Sequence, residues 1–186
     1  MENRYYKGQL LVAMPNLADP FFSRSVTCLC EHKEEGAFGI VINQTYTDIT
    51  EKDFFKSLDI ECKKEPCDRL IHIGGPVQKF NVFVLHGQPF HWLNCFMVSD
   101  TIAMSSTIDI LQAVADGSGP ENYLIATGCA GWAPGQLEVE MKRNSWITCP
   151  LDDQLIFNIP TDEKWEASIR TLGIDPAFIM DGAGHA

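Results

Sequence analysis

The sequence predicts one domain that mixes helix and sheet, and three observations carry that reading. Short apolar runs recur between turn residues along the chain, and several alternate with the period of two expected of strands. Residues 106–117 and 161–173 each open on a capping residue and close on a glycine, as helices do. The length of 186 residues, with 45% hydrophobic and 21% charged residues, suits a single domain over residues 1–186 with one substantial core.

Taken in order, residues 9–14 read as a buried strand. Asp19 then offers a cap with Pro20 at the first helical position, so one short helical turn is expected over residues 20–25. Residues 26–31 alternate, with Val26, Cys28 and Cys30 on one face and Thr27, Leu29 and Glu31 on the other. A short turn ending at Gly36 joins them to residues 37–43 as a hairpin. Thr50 and Asp53 stand at the spacing of a capping box for a helix reaching about residue 58. The charged stretch 59–68 reads as an exposed loop.

Residues 70–73 and 82–86 read as strands, separated by the Gly74-Gly75-Pro76-Val77 turn. Further strands are expected at 96–98 and near 102–104. Ser106, with Asp109 three residues on, caps a helix whose stripe is Ile108, Ile110, Leu111, Val114 and Ala115, ending at Gly117. Residues 123–127 form a strand that feeds a glycine-rich turn containing Gly128, Gly131, Trp132 and Gly135. Residues 136–143 fit either period. Glutamates at the start and Lys142-Arg143 at the end match a helix dipole, so a helix is expected. Residues 146–148 and 155–158 read as short strands, and a last helix runs over 162–172 from Thr161 to Gly173.

The net charge is −11 and the isoelectric point is near 4.7. Counterion release on nucleic acid needs clustered Lys and Arg, and Lys63-Lys64 and Lys142-Arg143 are the densest pairs, so generic nucleic-acid binding is not expected. No run reaches the length of a membrane span, and the first seven residues lack the apolar core of a secretion signal. A cytoplasmic location is expected, with the seven cysteines reduced.

One segment is denser in information than any other. Gly128-Cys129-Ala130-Gly131-Trp132-Ala133-Pro134-Gly135-Gln136 packs glycines, a proline and a tryptophan between an apolar run and a charged one. With Gly8-Gln9-Leu10-Leu11-Val12-Ala13-Met14-Pro15, Asp19-Pro20-Phe21-Phe22, Gly74-Gly75-Pro76-Val77, Asn144-Ser145-Trp146 and Gly184-His185-Ala186, it resembles the AlgH/YqgE family over nearly the whole chain. That resemblance implies an α+β fold: a coiled, bifurcated, largely antiparallel sheet with helices packed around it. It implies no settled activity, and the family name carries a proposed role in transcriptional regulation. Two positions depart from the family pattern. Cys129 stands where an aromatic is usual, and Thr45 where a proline is common.

The expected function is a non-enzymatic binding or regulatory module with a protein or small-molecule partner. Its candidate groove lies between the Gly74, Gly75, Pro76, Val77 turn and the Gly131-Trp132 turn, with His86 and Gln136 beside it, because binding groups gather on loops over rigid sheets. One rival reading is a hydrolase or thiol enzyme using Cys129, on a strand-to-helix turn, or His86, and a second is a transcription-related regulator acting through nucleic acid. Arg24 is expected in a structural ion pair, and Glu138 with Lys142. No cofactor or metal is expected: Cys62 and Cys67 have no second pair, and no histidines stand at ligand spacing.

Overall fold

Apolar residues on both faces make β2 (Val26–Lys33) an interior strand, and the sheet is built outward from it. In the computed structural model, which describes residues 5–181, β1 (Gln9–Ala13), β2 and β3 (Gly36–Val41) form an antiparallel meander. Val26, Cys28 and Cys30 pack in one cluster with Leu10 and Ile40, while Leu29 packs on the opposite face with Leu11 and Trp132. Between β1 and β2 a 3-10 turn spans Pro20–Phe22, and the Asp19 carboxylate accepts from the Phe21 N–H.

The other half of the sheet comprises β4 (Thr45–Thr50), β5 (Leu70–Ile73), β6 (Val77–His86), β7 (Phe96–Met97), β8 (Ala103–Ser105) and β9 (Tyr123–Trp132), while β10 (Trp146–Pro150) pairs antiparallel with β1 at the edge of the meander. The main strand order is β10-β1-β2-β3-β9-β6-β8-β7. β9 is shared. Its first half pairs in parallel with β5, where His72 faces Ala126, and its second half pairs antiparallel with β3, where Gly39 faces Ala130. β6 runs antiparallel to β9 from Val77–Cys129 to His86–Tyr123. The sheet therefore divides at β9, and the fold is α+β with a largely antiparallel, bifurcated sheet.

Six α-helices cover it among the described residues: α1 (Glu51–Ser57), α2 (Ile108–Asp116), α3 (Gln136–Lys142), α4 (Asp153–Phe157), α5 (Lys164–Thr171) and α6 (Pro176–Asp181). Thr50 and Asp53 close the expected capping box on α1. α1 and α2 bury Phe54, Phe55, Ile110, Leu111 and Val114 against β5, β6 and the start of β9. α4 and α5 bury Leu155, Ile156, Trp165 and Ile169 against the β1–β3 face, and the Trp165 indole donates to the Ala13 carbonyl at 2.8 Å.

Several expectations are corrected. Residues 155–158 lie in α4 and its end rather than in a strand. The Asp152 side chain caps that helix by accepting from the Gln154 N–H, and a four-residue apolar run cannot reveal its period. The Gly-Trp segment is not a turn: β9 continues through it to Trp132. Val77 likewise belongs to β6, and an irregularity between Val77 and Val82 carries Phe80 into solvent, 99% exposed. α2 starts after Thr107 without a side-chain cap and turns Ile108 outward. α5 begins at Lys164, and its first turn is not closed by Thr161. β4 and α6 went unanticipated. Cys62 and Cys67 form a disulfide, against the expectation of seven reduced thiols, while Cys28, Cys30, Cys95, Cys129 and Cys149 are free. The Gly184-His185-Ala186 block lies outside the described residues.

Candidate functional site

Pairing of Val77 with Cys129 brings the two glycine-dense segments together as neighbouring strands. A Cβ on Gly74 would lie 2.3 Å from the Gly128 carbonyl oxygen, and one on Gly75 would lie 2.0 Å from the Cys129 carbonyl. These glycines serve backbone-to-backbone contact across the split in the sheet. Pro76 and Gly75 line a small cavity of about 160 Å³ with Phe21, Tyr46, Ile73, Lys79 and Thr127.

The other sequence candidates serve the framework. Trp132 is 6% exposed, and its indole and that of Trp146 donate to one Glu140 oxygen at 2.9 and 2.8 Å. Gln136 donates to the other Glu140 oxygen at 2.9 Å and accepts from the Ala133 N–H at 3.0 Å, so it closes the first turn of α3. Gly131 is exposed on β9. His86 is fully buried, its ring within 2.7 Å of the Gly87 carbonyl and 3.0 Å of the Ser105 hydroxyl, and burial lowers its pKa. Cys129 is buried inside a strand, where burial pushes its thiol up to about 11. It has neither the strand-to-helix position nor the thiolate character that the enzyme reading required. Arg24 pairs with Glu166 at 3.2 Å and lies over the Trp165 ring. Glu138 faces His32 at 3.4 Å in place of the expected Lys142.

A larger cavity lies elsewhere. It holds about 710 Å³ between the β4, β5 and β9 starts and the chain connecting α4 to α5. Leu70, Leu124, Ile125, Ile156, Phe157 and Ile159 supply apolar wall, while Glu51, Arg69, His72, Tyr123, Asp162 and Lys164 supply charge and hydrogen-bonding groups. Such a mixture of apolar lining and a few polar groups is the usual make-up of a ligand site.

Its titratable groups fall into two sets. Glu51 opens α1 yet is 2% exposed; it accepts from the Tyr123 hydroxyl at 2.6 Å and pairs with Lys64 at 3.0 Å. The Lys64 ammonium also touches the Tyr123 hydroxyl, and Arg69 lies 5.0 Å over the Tyr123 ring. Burial, then the bond to Glu51, raises the Tyr123 phenol well above its ordinary range, so it stays a donor. Lys64 reaches this point because the Cys62–Cys67 loop is pinned to α2, the Lys63 and Lys64 N–H groups donating to the Ala115 carbonyl at 2.8 and 3.0 Å.

The second set is Lys164 and His72. Lys164 is 3% exposed and donates to the Ile156 carbonyl; burial holds its pKa down to about 8. Burial, and then the Lys164 charge, lower His72 to about 4, so the imidazole is neutral at pH 7. The His72 Nδ1 is enclosed without a hydrogen-bond partner. Sequence reasoning missed all of these residues except Lys64, noted only as half of a basic pair. They come from four elements and the chain between α1 and β5, and no spacing motif links them.

An AlgH-like family model matches residues 10–177. The chain belongs to the AlgH-like family. Among its relatives, a UPF0301 protein of Desulforapulum autotrophicum is 43% identical over 97% of this chain and 95% of its own length. Another from Thioalkalivibrio sulfidiphilus is 44% identical over 97% of each. The solution structure of the AlgH protein from Pseudomonas aeruginosa is similar with a TM-score of 0.80 and 38% identity, covering 100% of this chain and 98% of that one. The crystal structure of DIP2367 from Corynebacterium diphtheriae shares the fold at 23% identity, with a TM-score of 0.69 over 88% and 85% of the two chains.

Proposed function

We propose that this AlgH-like protein is a non-enzymatic binding module that takes a small molecule into the 710 Å³ cavity beside β9. The observation that carries this reading is the lining itself. Apolar walls surround the ionisable groups of Glu51, His72, Tyr123 and Lys164 from four elements, and perturbed titratable groups inside a concavity favour a functional site. The glycine-rich blocks then act as the scaffold, bringing the β9 backbone close to its neighbours and fixing the cavity wall.

The protein works in the cytoplasm on this proposal. No helix among the described residues is long and apolar enough to cross a membrane. Free thiols at Cys28, Cys30, Cys95, Cys129 and Cys149 suit a reducing compartment, in which the Cys62–Cys67 bond is transient rather than constitutive. Regulation through direct contact with DNA is disfavoured by the net charge of −11.

A ligand-observed NMR screen of small fragments tests the binding reading. Hits that compete with one another for a single site are expected. A screen with no specific hit, together with a mobility shift on random-sequence DNA at physiological salt, would overturn it.

A further inference from the structure

Lys164 sits in the protein interior with its charge unanswered. Among the described residues no carboxylate lies within ion-pair distance of its ammonium, and its hydrogen bond goes to the Ile156 carbonyl. An ammonium offers three donors, so the carbonyl leaves two unused. The other buried charge on the cavity wall, Glu51, is already engaged by Lys64 and Tyr123 and offers Lys164 no compensation. A buried cation without a counter-charge is costly, and proteins keep such groups where something else answers them.

Two further features add positive character. Lys164 opens α5, whose N-cap Glu163 makes no side-chain capping bond, and Thr161 and Asp162 just before that helix also line the cavity. Arg69 lines the cavity from β5's side and is exposed to solvent. Asp162 is the acidic lining residue that remains, and it too is exposed, where water screens it. The inner part of the cavity is therefore cationic and apolar together.

We propose that the cavity binds an organic anion, with Lys164 holding its carboxylate or phosphate group and the Leu70, Phe157 and Ile159 side chains covering its apolar body. This rests on the cavity being the binding site and adds the chemical class of its ligand. The anionic group supplies the counter-charge that the protein itself lacks. Bonds from a charged donor are among the stronger polar interactions, so the group is expected to decide affinity as well as orientation.

Three probes of one chain length separate the possibilities: hexanoate, hexyl phosphate and hexanol. Each is titrated into 15N-labelled protein, and into Lys164→Met and Lys164→Arg variants whose folding is checked by their amide spectra. Hexanoate or hexyl phosphate is expected to shift the amides of residues 123–125 and 156–164, and the tighter of the two identifies the anionic group. Lys164→Met should weaken that probe about tenfold or more, while Lys164→Arg retains most of the binding and hexanol is indifferent to both changes. Hexanol binding as tightly as the anions, or Lys164→Met binding them unchanged, overturns the anion while leaving the cavity as a binding site. Shifts confined to residues outside the cavity, or no shift with any probe, overturn both.

Discussion

The Trp132 indole donates to the Glu140 carboxylate at 2.9 Å, and Trp146 reaches the same oxygen from 2.8 Å. One acceptor on α3 thus ties down two aromatic side chains from β9 and β10, which meet edge to face with ring centroids 5.8 Å apart. Trp132→Ala should lower stability by about 3–5 kcal/mol, as deletion of a large buried aromatic does. Glu140→Ala strands two indole donors and should cost about 2 kcal/mol or more. Chemical denaturation checks both, and an unchanged midpoint in either variant would remove Glu140 as the anchor.

Gly75 tests whether the glycine blocks are scaffold. A Cβ there falls 2.0 Å from the Cys129 carbonyl, a backbone contact that no rotamer can relieve. Gly75→Ala should therefore destabilise by more than about 2 kcal/mol. Gly135→Ala is the comparison, since nothing lies within 4 Å of its Cβ and only its φ of +75° resists the change. Equal loss in the two variants would contradict the close-contact account.

The Cys62–Cys67 disulfide closes a short loop that carries Lys64 to Glu51. Loop-closure entropy for about six residues is worth roughly 2 kcal/mol. The paired Cys62→Ser, Cys67→Ser variant should lose about that much, and adding a reductant to the native protein should reproduce it. A reductant that leaves the melting temperature unchanged would show that Lys64 is held by its Ala115 and Glu51 contacts alone.

Lys164 makes stability depend on pH with a definite sign. Burial lowers its pKa from 10.5 to about 8, so the cost of its charge is fully present below pH 8 and fades as pH rises toward 10.5. At about 1.4 kcal/mol per pH unit that cost is roughly 3 kcal/mol, offset by about 1 kcal/mol from the Ile156 bond. Lys164→Met should therefore stabilise the unliganded protein at pH 7 by about 1–2 kcal/mol, with the gain shrinking above pH 8. The same change should raise the His72 pKa from about 4, because the Lys164 charge is the second cause after burial of its depression. NMR titration of the His72 ring reads this directly, and an unmoved pKa would mean that the two groups do not sense each other.

Much of the sheet was legible from residue pattern because β1, β2 and β3 pair in chain order and carry their turn signals between them. The Thr50–Asp53 capping box is likewise local chemistry. The errors arose where tertiary contact decides. Gly128, with φ at +73°, lets β9 continue through what looked like a turn, and Asp152 makes a helix of an apolar run too short to show its period. The cavity was not legible at all. Glu51 looks like an ordinary first-turn acid on α1, and Lys164 like an ordinary surface lysine on α5; Glu51 is enclosed by Tyr123 and Lys64, and Lys164 by the chain of α4 whose Ile156 carbonyl it meets.

The binding cavity is tested most directly by mapping fragment hits on 15N-labelled protein beside a Thr161→Trp variant, whose larger side chain is placed on the cavity wall. The account predicts shifts clustered on residues 69–72, 123–125 and 156–164, and their loss in a folded Thr161→Trp protein. Hits that map instead around Gly75, Pro76 and Phe80, or that bind Thr161→Trp as well as the native chain, would contradict it.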